Sequence, residues 1–160
     1  MTAAVIIHVN SDEDLRKCHN IRTEIFVKEQ GCSAEGEIDD YDPLPTTHHF
    51  LALLSTASIG TVRLHPYPSS HSTTCKLGRL AVLPQWRNSG YGRQLLSTAE
   101  LYAKNVLGME RILLHAQIHK RNWYEKAGYI VVSEEVILEE GIEHVKMEKA
   151  LKEEYNDEVK

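Results

Sequence analysis

Basic charge is scarce in this chain. Its 160 residues carry 18 Lys and Arg against 23 Asp and Glu, a net charge of −5. A protein that grips nucleic acid through phosphates presents a basic patch or stripe, and none is visible here, so nucleic acid is excluded as the expected partner. Cysteine is scarce too. Cys18, Cys32 and Cys75 are widely spaced, odd in number, and form neither a CxxC pair nor a zinc pattern. That excludes a disulfide framework and favours a reducing compartment. No run of 18 apolar residues exists, so no membrane span is expected. The start, Met1-Thr2-Ala3-Ala4-Val5, lacks the basic segment of a secretory leader. The expected location is therefore cytoplasmic, with no membrane partner. Internal repeats are absent, and the one low-complexity stretch is Ser69 to Thr74.

What remains is the composition of an ordinary globular domain, 42% hydrophobic and 26% charged. The length suits a single domain over residues 1–150, followed by a charged tail from Leu151 to Lys160 that frays. Val5 to Val9 is a short β-branched run and predicts a strand. Ser11 or Asp12 caps a helix whose apolar face is Leu15, Cys18, Ile21, Ile25 and Phe26, with Gly31 as its stop. Glu35 to Pro45 is an acidic loop with room for one helical turn. Strands are expected at His48 to Ser55, Ile59 to His65 and Lys76 to Leu83, with a turn at Thr56-Ala57-Ser58. A long helix follows from Gly90 to Leu107, lined by Leu95, Leu96, Ala99, Tyr102, Ala103 and Val106 and closed by Gly108. Arg111 to Gln117 predicts a strand, Asn122 to Ala127 a short helix, and Tyr129 to Val132 with Ile142 to Met147 a final pair of strands. This order is mixed α/β (α+β), with antiparallel pairs and at least one strand–helix–strand crossover.

The segment that carries chemistry runs Leu80-Ala81-Val82-Leu83-Pro84-Gln85-Trp86-Arg87-Asn88-Ser89-Gly90-Tyr91-Gly92-Arg93. A strand enters a glycine turn and then a helix. The first N–H groups of a helix have no partner within it, and the helix dipole adds partial positive charge, so the turn is an anion site. Glycine lets a phosphate approach the backbone, and Arg87 and Arg93 add charge. An ordinary strand-to-helix turn would look the same from this motif alone. It is neither a Walker loop nor a GxGxxG turn.

Arg87-x-x-Gly90-x-Gly92 resembles the (Arg/Gln)-x-x-Gly-x-(Gly/Ala) signature of the GNAT (Gcn5-related N-acetyltransferase) superfamily. Asn122-Trp123-Tyr124-Glu125-Lys126-Ala127-Gly128-Tyr129 is similar to a second segment of that superfamily. Ile21-Arg22 through Glu29-Gln30, the acidic stretch Glu35 to Asp40, His48, and Glu139 to His144 resemble its ElaA/YjcF-like branch, which has Pro where this chain has Glu143.

The resemblance implies a twisted mixed sheet of six to seven strands flanked by about four helices, with splayed central strands that admit acetyl-CoA. It implies that Arg87, Asn88, Ser89, Gly90, Tyr91, Gly92 and Arg93 hold the pyrophosphate. Leu80, Ala81 and Val82 pair by main chain with the pantetheine arm, and Asn122 bonds that arm from the other side. Tyr124 falls at the position of a general acid that protonates the departing thiolate. For the base, Glu37, Asp39, Asp40, His48, His49, His115 and His144 are candidates, with His144 and His48 first on the branch pattern. The acidic loop around Glu37 attracts a cationic acceptor or is simply a solvated loop. Arg63, Arg79 and Gln117 bind substrate, or else the two arginines pair with the acidic loop and Gln117 bonds backbone. No metal is expected, since His48, His49 and Cys75 have no ligand spacing.

The expected function is therefore N-acetyl transfer from acetyl-CoA to a primary amine of a small molecule or peptide. The alternative is a non-catalytic acyl-CoA-binding sensor. Strand edges allow a homodimer as well as a monomer.

Overall fold

The computed structural model describes residues 2–68 and 73–151. The expected charged tail from Lys152 onward, and most of the low-complexity stretch at Ser69 to Thr74, lie outside the described residues.

Seven strands form one sheet in the order β1-β2-β3-β4-β5-β7-β6. They are β1 (Val5–His8), β2 (His48–Leu54), β3 (Ala57–Pro66), β4 (Thr74–Val82), β5 (Arg111–Gln117), β6 (Ile130–Glu139) and β7 (Ile142–Ala150). All pairs are antiparallel except β4 with β5. The helices are α1 (Asp12–Arg22), α2 (Ala34–Glu37), α3 (Tyr91–Asn105) and α4 (Arg121–Lys126). Strand and helix numbers meet the sequence expectation.

Each face of the sheet buries one long helix. Strand residues alternate between faces, so Phe50 and Ala52 of β2 join Leu95, Leu96, Ala99 and Ala103 of α3 in the larger core. Leu51, between them, packs with Cys18 and Ile21 of α1 and with Ile25 just beyond its end. Burying a leucine such as Leu95 or Leu96 stabilises by about 1.5–3 kcal/mol. Gly60 of β3 is where the sheet meets α3 most closely: a Cβ there would lie 2.9 Å from both the Ala81 carbonyl oxygen and the Leu95 Cδ1.

Helix α1 starts where the sequence places it. The Asp14 N–H donates to Ser11 Oγ at 3.2 Å, a side-chain cap. Its end differs. From Thr23 to Glu29 the chain continues as a π-helix rather than an α-helix, a local widening with i→i+5 hydrogen bonds found mostly at functional sites. Three other boundaries move. The β2–β3 turn is tighter than expected, at Ser55-Thr56, because Ser55 adopts φ 55°. Val106, expected on the apolar face of α3, lies beyond its last turn and is exposed. Strand β6 runs seven residues past Val132, with its register against β7 interrupted around Ser133 to Ile137.

Candidate active site

Strands β4 and β5 pair only where Thr74, Cys75 and Lys76 face Arg111, Ile112 and Leu113. Beyond Lys76 they part, and the β4 edge from Leu77 to Val82 has no strand beside it. A bulge marks the same segment. Thr61 opposes Ala81 and Arg63 opposes Gly78, so β4 carries one extra residue. Arg79 at that point has φ 52°, and such an insertion bends the strand that carries it. The opening is a cleft of ≈ 450 Å³, a size typical of small-molecule sites. It runs from the start of α3, past Leu80, Ala81 and Val82, to His115 and His144.

At one end of the cleft stands the N-terminus of α3. Its N-cap, Gly90, has φ 86° and supplies no side-chain cap. Asn88 is also left-handed, at φ 61°. The Gln94 N–H closes the first helical turn on the Gly90 carbonyl, which leaves the N–H groups of Tyr91, Gly92 and Arg93 without intrahelical partners. Trp123 of α4 lies over Gly92, 3.4 Å from where a Cβ would sit. Arg93, His119 and Lys120 line the same mouth. An uncapped helix start beside cations is suited to a phosphate.

The other end is polar. His115 Nδ1 and Glu139 Oε1 share a hydrogen bond, and this bond holds the Glu139 carboxyl below its ordinary pKa. His144 lies opposite Gln117 across the β5–β7 pair and bonds the Ile142 carbonyl through Nδ1 at 2.7 Å. The tip of the β6–β7 hairpin reaches across the cleft. Glu140 accepts from the Ser33 N–H at 3.1 Å and from Ser33 Oγ at 3.0 Å. Gln117 Nε2 donates to Gln30 Oε1 at 2.8 Å, a second tie between the two halves. Tyr124 lies between these ends, packed edge-to-face on Trp123 and Tyr129. Burial pushes its phenol above the usual pKa, so it is protonated at neutral pH.

A family model for the acetyltransferase (GNAT) domain matches residues 14–151. The chain belongs to the GNAT acetyltransferase family. Among its relatives is YjcF of Bacillus subtilis, an uncharacterised N-acetyltransferase, 32% identical over 139 residues that cover 87% of this chain and 94% of that one. A crystal structure of an acyl-CoA N-acyltransferase from Pseudomonas aeruginosa superposes with TM-score 0.80 at 30% identity, covering 92% and 98% of the two chains. That of Escherichia coli ElaA gives 0.79 at 26% identity over 93% and 99%. YjcF and ElaA agree with the branch expected from the sequence.

Within this GNAT domain the expected site residues divide. Leu80, Ala81, Val82, Arg87, Asn88, Gly90, Tyr91, Gly92, Arg93, Gln117, Tyr124, His144, Glu37, Arg63 and Arg79 all line the cleft. Ser89, Asn122 and His48 are not among its lining residues. Asn122 is exposed on the first turn of α4, so its expected bond to the pantetheine arm has no support in the geometry. His48 faces α3, bonded to His8 at 3.0 Å and packed on Tyr102. The alternation of β2 points it away from the site, which removes it as a catalytic candidate.

Arg87 lines the cleft with its charge already used. It makes a two-pronged ion pair with Glu29 at 2.6 and 2.7 Å and donates Nε to the Val82 carbonyl at 2.9 Å. It clamps the turn to the end of the π-helix.

Glu37, Arg63 and Arg79 prove to be parts of an ion cluster. The cluster is centred on Arg22, which is 1% exposed. Arg22 donates to Glu37 at 2.7 Å and to Asp42 at 2.7 and 3.0 Å. Arg63 bonds Asp39 at 2.8 Å and Asp42 at 3.1 Å, and Arg79 reaches Glu37 and Asp39 at 3.3 and 3.4 Å. The guanidinium groups hold Asp42 well below the usual carboxylate range, against the opposing effect of burial. The acidic loop is therefore a counter-charge to buried arginines.

The sequence reading passed over Glu29, Lys76, Trp123, Glu139 and Glu140. Glu29, Glu139 and Glu140 lay in segments matched by resemblance and Trp123 inside the second motif, none of them given a role, while Lys76 takes its place only through the β4–β5 pairing. Among the described residues no cluster suited to a metal ion occurs, and no helix is long and apolar enough to cross a membrane.

Proposed function

We propose that the protein transfers an acetyl group from acetyl-CoA to a primary amine by direct attack. The observation that carries this is the parting of β4 from β5 beside an uncapped α3 N-terminus, with Tyr124 in the same cleft. The N–H groups of Tyr91, Gly92 and Arg93 suit the pyrophosphate. The unpaired edge of Leu80 to Val82 suits an amide-bearing arm. Bound there, acetyl-CoA supplies an activated thioester carbonyl. His115, oriented by Glu139, takes the proton from the attacking amine. A nitrogen–carbon bond forms, the carbon–sulfur bond breaks, and the sulfur takes the Tyr124 proton. His144, buried and bonded to backbone through Nδ1, lines the acceptor end beside this pair.

The test is release of the CoA thiol in the presence of a panel of amines. Turnover on an amine, with Tyr124→Phe lowering kcat by ~10²-fold and leaving acetyl-CoA affinity within about threefold, is expected. Acetyl-CoA binding without turnover on any amine would favour the sensor reading instead.

A further inference from the structure

We propose that the acceptor is an amine that also carries a carboxylate, with Lys76 receiving the carboxylate while the amine meets the His115–Glu139 pair. The inference rests on the acetyl-transfer reading of the same cleft.

Charge accounting at the acceptor end singles out Lys76. Three arginines (Arg22, Arg63, Arg79) are matched by three acids (Glu37, Asp39, Asp42) in direct bonds. Glu139 is bonded to His115 and Glu140 to Ser33. Lys76 lines the same cleft and is half-buried, yet among the described residues its ammonium makes no hydrogen bond or ion pair. A half-buried ammonium without a hydrogen-bonded partner is costly: burial lowers its pKa, and the attraction of Glu139 offsets that only in part. An arriving anion removes that cost.

Position fixes the second half. Lys76 is the last β4 residue paired with β5, directly opposite Leu113. His115 is two residues further along β5, so it shares the face of Leu113 about 7 Å away along the strand. A cation on β4 and an imidazole–carboxylate pair on the same face of the neighbouring β5, in one cleft, complement the two ends of an amino acid. One lysine at this end of the cleft, with Glu139 and Glu140 beside it, favours a singly charged carboxylate over a doubly charged phosphate.

The experiment compares amino acids, from α to γ, each against the amine of the same skeleton without its carboxyl group. O-phosphoethanolamine is included, and CoA thiol release is the readout. The wild type is expected to favour each carboxylate-bearing member by roughly 10- to 100-fold in kcat/KM, the range of one charge-assisted hydrogen bond. Lys76→Met should bring that ratio close to one through KM, and Lys76→Arg should keep part of it. Acetyl-CoA titration of each variant checks that it is folded. Should Lys76→Met fail to fold, the wild-type ratio and Lys76→Arg carry the test. Equal rates for the paired amines in the wild type, a ratio that survives Lys76→Met, or a preference for the phosphate would overturn the proposal. Release from none of the amines, with acetyl-CoA still bound, would instead remove the acetyl-transfer reading and this assignment with it.

Discussion

Buried charge and buried histidine dominate this molecule at the scale of single residues. Arg22 sits one turn beyond Cys18 on the core-facing side of α1, where a sequence reading expects an apolar residue. It is tolerated because Glu37 and Asp42, 15 and 20 residues away, give it four charged or carbonyl contacts. Such a group contributes little net stability while its removal leaves buried acids uncompensated. His49 shares the site. It is 5% exposed, bonds the Asp42 carbonyl through Nε2, and leaves Nδ1 without a partner. Burial lowers its pKa to about 4, below the unfolded value near 6.5. Between those values the unfolded chain binds the extra proton, so stability falls as pH drops from about 6.5 to 4. The loss from His49 alone is about 3 kcal/mol by pH 4. Urea unfolding at pH 7 and pH 5 should show it, and replacing His49 with Gln should flatten that stretch of the curve; an unchanged slope would mean His49 is not held neutral. None of this was legible in the sequence. Of nine histidines the sequence put His144 and His48 first on resemblance, and only the sheet's alternation separates His49 from His48 and takes His48 out of the cleft.

At the scale of elements, legibility followed periodicity. Strand β5 appears at the boundaries its apolar run predicts, Arg111–Gln117, because both faces of a central strand are buried. Helix α3 and its glycine turn were equally plain. Strand β6 was read only in its first residues, since an edge strand with Glu134, Glu135 and Leu138 all exposed has lost its alternation. The parting of β4 from β5 left no mark in composition, because it depends on where pairing stops and on one extra residue near Arg79. The glycine turn makes a prediction of its own. Gly90 holds φ 86° with nothing within 4 Å of a Cβ, so Gly90→Ala adds no clash and costs only backbone strain, about 1–2 kcal/mol. That strain falls on the N–H groups proposed to meet the pyrophosphate. Thermal unfolding should drop by a few degrees, and acetyl-CoA affinity should weaken roughly tenfold. Wild-type affinity in this variant would place the pyrophosphate elsewhere.

For the whole molecule, the sheet supplies the frame, and the proposed acyl-CoA site lies in the seam where β4 and β5 stop pairing. The seam is tied at its far end by Ser33–Glu140 and Gln30–Gln117, and at its near end by Glu29–Arg87. These ties join the π-helix region and the acidic loop to the second half of the chain. The early part of the sequence, which carries no cofactor motif, therefore shapes the acceptor end. Family and fold were readable from two motifs a helix and a strand apart, and most residues of the first motif line the cleft. The polar end was readable only in part: Glu37, Arg63, Arg79, His115, Gln117 and His144 were named and line the cleft, but how they pair was not, because they come from α2, β3, β4, β5 and β7, far apart in sequence. The most direct test of the central claim is a calorimetric titration of the purified protein with acetyl-CoA. The account predicts saturable one-to-one binding, tighter than that of ATP under the same conditions. Absence of binding, or equal affinity for ATP, would contradict the assignment of the β4–β5 seam and the α3 N-terminus as an acyl-CoA site.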